Sequence, residues 1–302
     1  MAILGKEELL STAANLLFMG LPGSGKTTFL AALWHVLDDR SSETSLKLKG
    51  LSVDRTYLHQ ITADWQACSQ VQRTKLEPEE LVVLSLTSGD TEFDLTVPDL
   101  SGEAFEQQLV DRKIALGHNE TIQRATGLVL FVHPRVKGGT RLTYSRQLSA
   151  VLDGAPIQPA VAGGAGGNAP PSATEPWSIE KLPTQVALVE LLQFALESAA
   201  RRKRVAVVIS AWDLVERTLF TGTPQEYLAR EMPLLRQFLE SNNDLFEHTV
   251  FGVSAQGGDI TVDEQKNALL GLDDALKRIK VLHGTEASQD ITKPIAWLLQ
   301  ER

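Results

Sequence analysis

The stretch GLPGSGKTTFL, Gly20 to Leu30, follows directly on the apolar run Asn15–Met19. An apolar run that ends in G-x-x-x-x-G-K-[ST] reads as a strand, a phosphate-wrapping loop and the start of a helix. Gly20, Pro22, Gly23, Ser24 and Gly25 form a loop whose backbone N–H groups can turn toward a nucleotide's phosphates. Lys26 reaches the outer phosphates, the Thr27 hydroxyl holds Mg²⁺, and Thr28 closes the cradle. A strand feeding a helix in this way belongs in a parallel α/β sheet.

Outward from this unit, strand-length apolar runs recur at Leu81–Leu86, Phe93–Pro98, Gly127–His133, Arg204–Ser210 and Thr249–Ser254. With Asn15–Gly20 they make six strands. The link Thr87–Thr91 is too short for a crossover, so the second and third strands form an antiparallel hairpin and the others run parallel. Helical patterns lie at Lys26–Leu37, Asp54–Gln72, Glu103–Leu116, Pro183–Arg202, Pro224–Ser241 and Lys293–Gln300. The expected fold is therefore α/β: a doubly wound, mostly parallel six-stranded sheet with one antiparallel edge strand. One domain over 1–302 is expected, carrying a helix-and-strand insertion at about 41–73 and a flexible Gly/Ala/Pro-rich loop at 154–177.

Three further strand ends carry chemistry. FDLTVPDLSGE, Phe93 to Glu103, delivers Asp99 to a strand tip, where a carboxylate can join the Mg²⁺ shell, and Gly102 follows at the spacing that lets its N–H approach a γ-phosphate. RVAVVISAWD ends in Asp213, three residues after Ser210, and VFGVSAQ carries Ser254 and Ala255. All four tips fall at the C-terminal ends of predicted parallel strands, where open α/β sheets bind ligands.

In this order the four tips resemble those of the translation-factor-related class of P-loop GTPases, which holds the Ras-like proteins and Gα subunits. DLSGE, SAWD and the closing DITKPIAWLL, Asp290 to Leu299, are similar to the bacterial double-GTPase families of conflict and signalling gene clusters. The resemblance implies a Ras-like fold, GTP or GDP with Mg²⁺ as cofactors, and a protein partner or activator. It implies that Asp213 accepts hydrogen bonds from guanine beside Ser210, and that the Ser254–Ala255 backbone addresses guanine O6.

Two departures stand out. Ala211 occupies the place of a lysine that packs along the base, and Trp212 could compensate by stacking or could serve only as packing. Glu103 follows Gly102 where the class carries a water-orienting glutamine, so intrinsic hydrolysis should be slow. For the hydroxyl that covers Mg²⁺ in the triphosphate state, Thr74 is the choice, with Thr62 and Thr56 as fallbacks. Arg73 beside it is a candidate internal arginine finger, against the plain reading of a solvated loop residue. His133-Pro134 reads as a strand stop.

The bulk composition narrows the field. With 43% hydrophobic residues in 302, a substantial core is available. A net charge of −9 argues against nucleic acid or an anionic membrane as the main partner. The single cysteine excludes an internal disulfide. Neither a signal peptide nor a membrane span is legible, so the cytoplasm is expected. A slow GTP-hydrolysing switch is the leading expectation; a nucleotide-holding scaffold and, further off, a P-loop ATPase or kinase are its rivals.

Overall fold

The computed structural model describes residues 12–39, 43–51, 56–71, 81–89, 91–98, 102–114, 116–135, 182–197 and 202–300. The expected insertion loop at 154–177 lies outside these residues. Strand β1 (Thr12–Met19) runs into the phosphate-loop motif and helix α1 (Lys26–Asp38). Then follow β2 (Lys47–Leu51), α2 (Thr56–Gln66), β3 (Leu81–Ser88), β4 (Thr91–Pro98), α3 (Gly102–Asp111), α4 (Leu116–Arg124) and β5 (Gly127–Val132). The chain continues through α5 (Thr184–Glu197), β6 (Lys203–Ser210), α6 (Trp212–Glu216), α7 (Pro224–Glu231), α8 (Pro233–Ser241) and β7 (Phe246–Ser254). It closes with α9 (Asp263–Leu270), a 3₁₀ turn at Ala275–Arg278, β8 (Lys280–His283), β9 (Glu286–Ser288) and α10 (Lys293–Leu299).

Among the described residues the sheet has nine strands, in the order β2-β3-β4-β1-β5-β6-β7-β8-β9. The expected five parallel strands are there, from β4 through β1, β5 and β6 to β7. The expectation of six strands with a single antiparallel edge strand is corrected. Strand β3 is antiparallel to β4 as the short link required, but β2 pairs outside it, and β8 and β9 add a second antiparallel hairpin at the opposite edge. These extra strands are only three to five residues long. β2 falls within the stretch 41–73, where the sequence leaves room for an added strand, whereas β8 and β9, at four and three residues, carry too few alternations to be told from loop.

Strands β5 and β6 are buried on both faces, and alternate residues feed two cores. Leu16, Phe18, Val129, Phe131, Ala206 and Val208 pack with α1, α2 and α10 on one side. Leu17, Met19, Leu128, Leu130, Val205 and Val207 pack with α3, α4, α5, α7 and α8 on the other. Period-two alternation with apolar residues at every position demands cover on both faces, which is the doubly wound arrangement. Helix α1 shows the same logic one layer out. Phe29, Leu30, Leu33, Trp34, Val36 and Leu37 bury it nearly all round, so its outer face needs cover as well. Helix α2 supplies it: the Thr62 hydroxyl donates to the Ala31 carbonyl, and His59 meets Trp34 edge to face.

The pattern expected to give one helix at Pro224–Ser241 is two. Thr223 caps α7 in a reciprocal capping box with Glu226, and Pro233, which has no N–H to donate, starts α8 afresh after Met232. None of the described helices is long and apolar enough to cross a membrane.

Candidate functional site

Chain order and strand order part company at β1. After β1 the chain builds β2, β3 and β4 on one side and returns to place β5 on the other, so the crevice above β1 is the topological switch point. The phosphate-loop motif sits there. Gly25 adopts φ 90° at the start of α1, and a side chain at that position would stand 3.0 Å from Cβ of Ser210 on β6. The glycine therefore serves both the turn and the close packing of the loop against the neighbouring strand tip.

Lys26 is held at the centre of the loop and is only 8% exposed. Its ammonium donates to the Gly20 carbonyl at 2.7 Å, the Leu21 carbonyl at 3.3 Å and Ser24 Oγ at 3.4 Å, above the Phe105 ring. Gly102 opens α3 directly against this loop. A Cβ there would lie 2.4 Å from the Pro22 nitrogen and 2.5 Å from its Cα, so only glycine permits the approach. The Asp-x-x-Gly spacing thus delivers its glycine to the phosphate loop, and Glu103 follows it to the cavity wall. Asp99 itself, like Arg73 and Thr74, lies outside the described residues.

A cavity of about 350 Å³ joins these groups to the other strand tips. Pro22, Gly23, Ser24, Gly25, Lys26, Thr27 and Thr28 line it together with Ser210, Ala211, Asp213 and Ala255. Along Ser210-Ala-Trp-Asp213 each side chain has a separate destination. The Ser210 hydroxyl donates to the Val132 carbonyl at 3.4 Å, within the sheet. Trp212 turns into the core, where it packs edge to face on Phe220 and Tyr227 and lies so close over Gly252 that a Cβ there would meet the indole at 2.5 Å. It is therefore a packing residue, and the alternative of base stacking is set aside. Ala211, with φ 46°, turns the chain so that Asp213 faces the cavity. Asp213 Oδ1 accepts from Ser254 Oγ at 2.7 Å, and that hydroxyl accepts from the Gly257 amide at 3.1 Å. Ser254 thereby ties the tips of β6 and β7 together.

Several cavity residues take no ligand role in the sequence reading, in which His133 is chiefly a strand stop. Ser69, Gln70 and Val71, just after α2, line the cavity, as do His133, Arg135 and Asp259. The Asp259 carboxylate accepts from Thr261 and from Arg135, at 3.0 Å to the guanidinium, and is held below the usual carboxylate range first by the Thr261 hydroxyl. His133 Nδ1 accepts the Arg135 amide at 3.1 Å, and burial pushes its pKa below the ordinary imidazole value, reinforced by the Arg135 charge. The Arg135–Asp259 pair joins segments 124 positions apart, which no local pattern in the sequence could reveal, whereas the His133–Arg135 and Asp259–Thr261 contacts are local turns. Thr62, a fallback for the Mg²⁺-covering hydroxyl, is buried against α1 with its hydroxyl donated to Ala31; that role is withdrawn for it.

The donor chemistry at the loop suits Mg²⁺. That ion takes one or two protein oxygens and completes its shell with phosphate oxygens and water, and Thr27 places a hydroxyl-bearing residue in the cavity beside Lys26.

A sequence profile of the Double-GTPase 1 family matches residues 17–298. No curated protein matches the chain. Among solved structures, it is similar to the bacterial selenocysteine-specific elongation factor EF-Sec, at 13% identity and a TM-score of 0.34, over 86% of this chain. The matched part is 28% of that factor's chain, so this chain spans less than a third of its length.

Proposed function

Because the chain belongs to the Double-GTPase 1 family, we propose that it is a GTP-binding protein whose cavity holds the triphosphate on the Gly20–Thr28 loop and the guanine at Asp213. The observation that carries this reading is the continuity of the cavity from Lys26 to an aspartate that Ser254 orients. A carboxylate so placed accepts from both the ring N–H and the exocyclic amine of guanine, whereas adenine presents no such pair of donors.

The chain then hydrolyses GTP slowly and changes state with the nucleotide. Thr27, Asp99 and Thr74 would hold Mg²⁺, which would supply positive charge against the phosphate oxygens. Gly102 brings its amide to the γ-phosphate. Glu103 accepts a hydrogen bond from the attacking water, but a carboxylate beside an anionic phosphate orients water less well than an amide, which keeps turnover low. Arg73 offsets the transition-state charge. We place the protein in the cytoplasm as a single domain with inserts at 41–73 and 154–177, acting on a protein partner or with an activator in a conflict or signalling system.

Glu103 also favours a second reading, a scaffold that holds the nucleotide without turning it over. Titration of labelled GTP, GDP and ATP with Mg²⁺, followed by single-turnover hydrolysis, decides. GTP and GDP should bind more tightly than ATP; equal ATP affinity sinks the guanine assignment, and bound GTP that is never hydrolysed leaves the scaffold.

A further inference from the structure

Helix α2 reaches the nucleotide cavity at its guanine end. Trp65, near the end of the helix, is fully buried, and its indole N–H donates to the Ala255 carbonyl at 3.0 Å. Gln256 returns the contact, its side-chain amide donating to the Trp65 carbonyl at 3.3 Å and to Cys68 Sγ at 3.4 Å. Arg278, 6% exposed, donates to the Trp65 and Gln66 carbonyls at 3.2 and 3.1 Å, with its guanidinium over the Trp65 ring. These bonds add to the one that the Trp65 carbonyl accepts from the Cys68 amide at 3.1 Å, and they pin the last turn of α2 to the segments around Gln256 and Arg278. The loop they grip is tightly seated, since a Cβ on Gly257 would meet the Arg278 carbonyl at 2.9 Å. Past the helix, Ser69, Gln70 and Val71 line the same cavity as Asp213.

We propose that α2 and residues 69–71 form a fixed wall of the guanine half of the cavity, with Trp65 as the positioning residue that keeps the Ala255 loop in register with Asp213. The inference rests on the guanine reading above and deepens it. Through Ala255, Ser254 and Asp213 the bonds run unbroken from α2 to the carboxylate that would meet the base. Loosening Trp65 should therefore act on base choice and spare the phosphate loop, to which none of these bonds runs.

The test is titration of labelled GTP and labelled ATP with Mg²⁺ against the full chain, Trp65→Phe and Asp213→Asn. Phenylalanine keeps a ring under Arg278 and removes the N–H. With one neutral hydrogen bond lost, Trp65→Phe should weaken GTP about fivefold to tenfold and leave ATP within about twofold. Equal loss for both nucleotides overturns the wall, and so does an unchanged preference in Trp65→Phe when Asp213→Asn does alter it; in both cases the guanine reading stands. Should neither variant change the preference, the guanine reading falls and the wall with it. A second readout needs no variant: in the parent chain, amide exchange over residues 61–71 should slow with GDP and not with ADP. Equal protection by both, or none by either, overturns the proposal.

Discussion

The two ends of the cavity are built on opposite plans. In the proposed reading the phosphates meet chiefly a run of nine residues, Gly20 to Thr28, in which Lys26 bonds to loop atoms two to six positions away. The part proposed to meet guanine is assembled from α6, the tip of β7 and α2, through side chains joined across 41 positions in one bond and 190 in another. Affinity for phosphate can thus be encoded in one short segment, whereas selectivity for a base requires the whole sheet to be in place.

The sharpest way to break this comparison is at Lys26. In the proposed reading its ammonium would make charge-assisted contacts to the phosphates, so Lys26→Ala should cost about 4 kcal/mol, or roughly a thousandfold in GTP and ATP affinity alike. Because the change removes a charge from the loop and no apolar side chain from either core, the melting temperature should change little. Full GTP affinity in a folded Lys26→Ala variant ends the phosphate-loop assignment. At the other end, Asp213→Asn should cost about 2 kcal/mol for GTP, roughly thirtyfold, and shift preference toward xanthosine nucleotides while phosphate binding persists. If ATP and GTP weaken equally, the two ends are not separable and the comparison fails. Where α3 meets the loop, Gly102→Ala adds a methyl 2.4 Å from the Pro22 backbone, so α3 must back away. Single-turnover hydrolysis should fall about tenfold, near 1.4 kcal/mol, with nucleotide affinity less affected. An unchanged rate would remove Gly102 from the γ-phosphate.

The same contrast explains what the sequence disclosed. The phosphate loop and the parallel strands were legible because each rests on a local pattern: glycine spacing, or an apolar run of strand length. Asp213 and Ser254 were legible as strand tips, although the bond between them was not. The role of Trp65 was out of reach, since its partner Ala255 lies in another lobe of the sequence. Yet part of that signal was present in α1, which is apolar nearly all round and so requires a covering helix. The split between α7 and α8 was also visible at Pro233, where the long apolar periodicity outweighed a residue that cannot continue a helix. Trp212 shows the reverse, a residue with a tempting functional position whose burial is decided by distant Phe220 and Tyr227.

The closing DITKP run bears on how the chain is made. Asp290 Oδ1 accepts from Thr292 at the start of α10, and Oδ2 accepts both the amide and the hydroxyl of Ser45, 245 positions earlier. From α10 the carbonyls of Trp297 and Gln300 receive the Arg204 guanidinium, which stacks on the Trp297 ring. During synthesis at about 5–20 residues per second, the segment that leads into β2 waits many seconds for the carboxylate that fastens it. The phosphate loop can form on the ribosome early, but the fastening of β2 is among the last events of folding, and a chain stalled before residue 290 would present β2 and α2 without that anchor.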